Sequence, residues 1–180
     1  MTDRWQPVRR HGITRLAADG WRGGRSVWES EAEGRELVVD QLVVGEETAG
    51  ERIAGVLGIE PGAALCLRSR RYVLDGKPVM LATSHLPAEL VAESPVTWGD
   101  PGPGGIYARL ADLGHAPVHF REEVRARMPS REEAGRLGLG SGTPVVLIAR
   151  TAYTAAGRAV EVNEMTLDSA AYILEYGFGA

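Results

Sequence analysis

A chain of 180 residues, 44% apolar and 24% charged, is sized and composed for one soluble globular domain with at most an extra arm. Its longest apolar runs, Ala63 to Leu67 and Val145 to Ala149, hold five residues each, far short of the roughly 20 that cross a bilayer, and the start MTDRWQPVRRHG lacks the apolar stretch of a signal peptide. The lone cysteine, Cys66, excludes a disulfide framework and reads as a core thiol, while the net charge of −4 offers no general attraction to a polyanion; a cytoplasmic protein away from membranes is expected.

Residues 1–35 form a basic arm. Its first 28 residues hold Arg4, Arg9, Arg10, Arg15, Arg22 and Arg25 against Asp3 and Asp19, together with Trp5, Trp21 and Trp28. Such a segment either touches nucleic acid or is a linker with solvated arginines and tryptophans docked on the body. A separate domain is expected over residues 36–180. Val38 to Val44 reads as its first strand. Ile53, Val56 and Leu57 fall at helical spacing, with Gly58 as a stop. A strand follows Gly62, then the turn Leu74-Asp75-Gly76 and a returning strand; Asp-Gly between two such runs is a hairpin signal.

The stretch Asp100-Pro101-Gly102-Pro103-Gly104-Gly105 is either a mobile loop or a lid or anion site before a helix, and its prolines spoil any P-loop pattern. Ile106, Leu110 and Leu113 share a helix face that Gly114 ends, and Val118 to Met128 alternates as a strand. Ser130 and Glu133 have capping-box spacing ahead of Ala134 and Leu137. A second strand, turn (Ala155 to Gly157) and strand follow, and Tyr172 to Phe178 closes the series.

The second half repeats the first. Residues 54–84 and 134–164 align at an offset of 80 through Leu57/Leu137, Gly58/Gly138, Gly62/Gly142 and Arg70/Arg150. One residue later the offset is 81, through Tyr72/Tyr153, Gly76/Gly157 and Val79/Val160. Each copy predicts a helix followed by a hairpin. Hairpins require antiparallel neighbours, so the fold class is α+β, an antiparallel sheet with short helices on one side.

Catalytic patterns are absent from the sequence: there is no HExxH and no GxSxG, and no cofactor or metal is implied. His119 with Glu122, and Glu122 with Glu123, fall on opposite faces of a strand and cannot cooperate. Arg70 and Arg150 stand at equivalent places in half-buried strands. A buried guanidinium needs a partner, either a protein carboxylate (Glu122, Glu161 or Glu164) or an anionic ligand.

Taken in order, several motifs resemble the UTRA domain, the effector-binding half of HutC-type GntR transcription regulators. They are Leu57-Gly58-Ile59 with Gly62, Arg70 followed by LDGKPV, the Ser-His-Leu-Pro at 84–87, and Ile106-Tyr107 with Leu110 and Gly114. The series continues through VRARMPS, Leu137, Arg150 with Tyr153, VEVNEMTLD and Tyr172, covering residues 36 to 178. The resemblance implies a chorismate-lyase-like fold, a cleft for a small-molecule effector between sheet and loops, and a homodimer. A lyase-like enzyme on the same fold is the alternative it leaves. Family members carry a winged helix-turn-helix ahead of this domain, and PVRRHGITRL resembles the linker behind it. DNA reading is therefore expected only through a missing or partner winged helix-turn-helix: a free-standing sensor or a truncated start.

In relatives that sense phosphorylated amino sugars, the resemblance places ligand contacts on Arg70, Tyr107 and Glu161 of this chain. The second arginine of that set falls on Tyr72, a glutamate on Ala82, a tyrosine on Leu167 and a serine on Gly105. The implied cleft is lined by Arg70, Tyr107 and Glu161, joined by Thr83, Asn163 and Arg150, with loop 100–105 at its mouth. Its ligand is more apolar than a phosphosugar and still acidic.

Overall fold

The computed structural model describes residues 5–11, 16–32 and 34–177; Arg4 and Arg15 of the arm, and Phe178 of the last expected strand, lie outside them. The chain opens with β1 (Val8–His11), α1 (Ala18–Arg22) and α2 (Val27–Glu31). The first repeat runs through β2 (Leu37–Thr48), α3 (Glu51–Leu57), β3 (Ala64–Leu74) and β4 (Lys77–Pro87). Then come α4 (Ala88–Val91), a 3-10 turn (Pro95–Thr97) and α5 (Gly105–Asp112). The second repeat comprises β5 (His119–Arg127), α6 (Arg131–Leu137), β6 (Val145–Tyr153) and β7 (Ala159–Asp168), and β8 (Tyr172–Glu175) ends the series.

Local chemistry sets these elements. The Ser130 hydroxyl accepts from the Glu133 amide while the Glu133 carboxylate accepts from the Ser130 amide, a complete capping box. Gly58 and Gly138 close α3 and α6 in the left-handed conformation, at φ 67° and 61°. In the first hairpin Asp75 and Gly76 both take positive φ, which matches the twist of the strands they join.

Six strands form one antiparallel sheet in the order β2-β3-β4-β7-β6-β5. The repeats meet where β4 pairs with β7. Thr83 lies opposite Glu164, its own counterpart at offset 81, so a local dyad passes through that pair. The closing strand does not join this sheet. β8 pairs in parallel with β1 of the arm, a two-stranded ribbon whose first member carries only Val8 and Arg10 as buried residues.

Helices cover both faces, a correction to the one-sided layer that the sequence suggests. On the back face Ile53 and Leu57 of α3 pack on Leu65 and Val162, and Leu137 of α6 on Leu81 and Val145. On the front face Trp21 (α1), Val27 (α2), Leu90 and Val91 (α4) and Leu110 (α5) pack with Cys66, Leu86 and Ala152. The second layer was hidden because the arm's helices have only five residues each, too short for a 3.6-residue period to show.

Candidate functional site

Strand alternation gathers a polar row on the front face. Cross-strand pairs Arg70/Ala82, Ser84/Asn163, Asn163/Arg150 and Arg150/Glu122 place these residues side by side, and Arg68, Tyr72 and Glu161 follow at two-residue steps. Above the row lies a cavity of about 450 Å³, bounded by α2, the edge strand β2, the loop from Gly99 and the start of α5. It is lined by Arg70, Tyr107, Arg150, Glu161 and Asn163 of the expected set, with Asp100 to Gly102, Gly104 and Gly105 at its rim.

Thr83 does not belong there. As the odd neighbour of Ala82 and Ser84 it points to the back face, where its hydroxyl donates to Ser69 Oγ at 3.3 Å. Glu164 shares that face: it holds Arg52 at 2.7 Å and one nitrogen of His85 at 3.2 Å, while Glu47 holds the other. The two carboxylates hold the His85 pKa up against burial, which on its own favours the neutral ring.

The two equivalent arginines are partnered differently. Arg150, 1% exposed, donates from Nε to Glu122 Oε1 at 2.9 Å. Burial works against its charge, but Tyr107, Glu122 and Glu31 outweigh burial and raise its pKa. Arg70, 5% exposed, donates from Nε to the Tyr72 hydroxyl at 2.7 Å, and from Nη1 to the Arg68 carbonyl at 2.9 Å and to Ser84 Oγ at 3.1 Å. All of these partners are neutral, and among the described residues Arg70 forms no ion pair. The reason lies in β2. The register slips between Asp40 and Val43, and Gln41 sits at φ 49°, so a bulge faces Arg70 where Glu122 faces Arg150.

Among the described residues, five buried polar atoms of the cavity lining have no hydrogen-bond partner of good geometry: Arg68 Nε, Tyr107 Oη, Arg150 Nη2, Glu161 Oε2 and Asn163 Oδ1. Tyr107 stands beside both Arg150 and Glu161, and burial, reinforced by the Glu161 charge, pushes its phenol well above the ordinary range. It therefore stays protonated and keeps a donor. Buried polar atoms left unpaired cost about 1–3 kcal/mol each, and all of these belong to residues that line the cavity.

Two contributors were not anticipated. Arg68 donates to the carbonyls of Val96 at 2.6 Å, Gly99 at 3.0 Å and Trp98, tying the rim loop to β3. Burial, then the neighbouring Arg70 charge, lowers its pKa. The arm supplies the other. Ser26, Trp28 and Glu29 of the α2 turn line the cavity, with the Trp28 ring 4.8 Å from that of Tyr72 and 5.5 Å from the Arg150 guanidinium. Three tryptophans in an arginine-rich arm were a signal of docking; which of them reaches the cavity depends on the path of the chain, which no local pattern records.

The same order of elements occurs in known proteins. Residues 32–173 match the UTRA domain. An HTH-type transcriptional regulator of Streptomyces coelicolor is 34% identical over 163 residues, covering 86% of this chain and 61% of that protein. The HTH-type transcriptional repressor PhnF of Mycolicibacterium smegmatis is 29% identical over 140 residues, covering 77% of this chain and 57% of the repressor. The chain thus spans about three fifths of the length of these curated relatives. The crystal structure of the PhnF effector domain superposes with a TM-score of 0.74 at 25% identity, over 85% of this chain and 93% of that one. With the repeated helix-hairpin unit, the six-stranded antiparallel sheet and the matched span all in agreement, the chain belongs to the UTRA domain family.

Proposed function

We propose that this chain is the effector-sensing part of a GntR/HutC-type transcription regulator and binds a small acidic molecule with an apolar body, without catalysing a reaction. One observation carries the reading: a buried guanidinium, Arg70, held only by neutral partners at the wall of a cavity of about 450 Å³. An anion entering that cavity adds to the counter-charge that Glu161 supplies from the same wall. Val39, Leu42, Ile106 and Trp28 supply apolar walls, while Glu161 and Asn163 accept from hydroxyl or amine groups of the same ligand. DNA binding belongs, in this reading, to a winged helix-turn-helix on the same protein or on a partner, and the place of action is the cytoplasm. Among the described residues no helix is long and apolar enough to cross a membrane.

The test uses an acid found by thermal-shift screening of small organic acids. Arg70→Ala should weaken its binding, measured by calorimetry, by roughly 1.5–3 kcal/mol, the range for a hydrogen bond to a charged group. Unchanged affinity together with a large loss of thermal stability would assign Arg70 to the frame and defeat the reading.

A homodimer belongs to the same proposal. β2 is a 12-residue edge strand with Val38 and Val43 exposed outside the cavity lining, an edge that proteins ordinarily cover. Sedimentation velocity at tens of micromolar should give the mass of a dimer, and a monomer at that concentration speaks against it.

A further inference from the structure

The segment ahead of residue 32, where the family match begins, is built into the cavity wall through a chain of buried contacts. Trp28 lines the cavity and stacks at an angle on Tyr72. Behind it, away from the cavity, Arg10 of β1 lies with its guanidinium 5.2 Å from the Trp28 ring and grips both oxygens of Glu31 at 3.0 and 3.1 Å. Arg10 is 1% exposed although it stands on a four-residue strand. A salt bridge this deep, linking β1 to the end of α2, is more than a flexible tether needs. It fixes the pitch of α2 and with it the plane of the Trp28 ring.

On the reading that the cavity binds an acidic effector, we propose that Trp28 is a specificity-determining residue supplied by the arm. Its ring covers a flat, unsaturated part of the ligand whose anionic end meets Arg70, and the ligand thereby fastens the arm to the sheet. Affinity and arm docking are then linked: whatever strengthens one strengthens the other by the same factor. Flat ligands gain from the indole face, and the two guanidiniums beside it, Arg10 and Arg150, hold that face in register.

Anilinonaphthalene sulfonate, an anionic aromatic fluorophore, serves as the probe for the intact chain. Trp28→Phe should keep binding within a few-fold and Trp28→Ala should weaken it about tenfold. Glu31→Gln, outside the cavity lining, should weaken it several-fold, and Arg52→Gln on the back face should leave it unchanged. Trypsin cleavage after the exposed Arg22 and Arg25 should slow when the probe is bound to the wild-type chain, and should not slow with Trp28→Ala. Probe binding that survives Trp28→Ala, or arm cleavage indifferent to the probe in the wild type, overturns the proposal. Arg70→Ala separates the two levels: if it leaves probe binding intact, the cavity reading itself falls, whereas a loss there with Trp28→Ala unaffected removes only the role of the arm.

Discussion

Gly104→Ala is expected to lower the free energy of unfolding by roughly 2–4 kcal/mol, from left-handed strain on a non-glycine residue plus overpacking. Gly104 sits at φ 80° immediately before α5, and its amide donates to the Gly24 carbonyl at 2.9 Å. A Cβ there would lie 2.3 Å from the Trp21 carbonyl oxygen and 2.6 Å from Ala108 Cβ. Neither neighbour is the loose end of a side chain: one is backbone of α1, the other a helical methyl. The Trp21 clash is relieved only by parting α1 from α5, and the Ala108 clash only by distorting the first turn of α5. For a chain of this size each kcal/mol moves the midpoint by about 2–4 °C, so thermal melts should show a clear drop. Gly135→Ala makes the contrast: nothing lies within 4 Å of its added Cβ, it sits inside α6, and its stability should rise slightly. A Gly104→Ala protein that melts with the wild type would mean that the arm and α5 do not meet as described.

Arg150→Met is expected to cost about 3–5 kcal/mol, the range for removing one member of a buried ion pair. The side chains of Arg150 and Glu122 are 1% and 11% exposed, and they join neighbouring strands at 2.9 Å. Methionine fills comparable space, so the loss isolates the charge: a carboxylate held far from water loses its guanidinium. Adding Glu122→Gln should return at least half of the loss, because the stranded charge goes with it. Urea unfolding of the single and double variants measures both. A single variant within 1 kcal/mol of the wild type, well below that range, would show that Arg150 stands there for a ligand alone.

Much of this was legible in the sequence, for physical reasons. Gly58 and Gly138 stop helices because few residues accept their backbone conformation, and Ser130 with Glu133 writes its cap in the spacing itself. The duplication carried the sheet, since two like hairpins joined about a dyad leave little freedom in strand order. Arg70, Tyr107, Glu161, Asn163 and Arg150 come together because alternation and register follow from that order. Thr83 failed on parity alone: one step along β4 reverses the direction of a side chain. Arg68 and Trp28 were invisible for another reason. Arg68 is defined by three loop carbonyls, and Trp28 by a docked arm whose helices are one turn and a half long.

The bulge in β2 breaks the likeness of the two repeats at one place that matters to a visitor. Offset 80 puts Leu42 where the second repeat has Glu122, so of the two equivalent guanidiniums Arg150 has a carboxylate on the neighbouring strand and Arg70 has only neutral hydrogen-bond partners. The cavity is thus a lock with a top and a bottom, cut from a part that has neither. A molecule with two acidic ends would find them treated unequally, one beside a guanidinium with neutral partners and the other beside one that already shares its charge with Glu122.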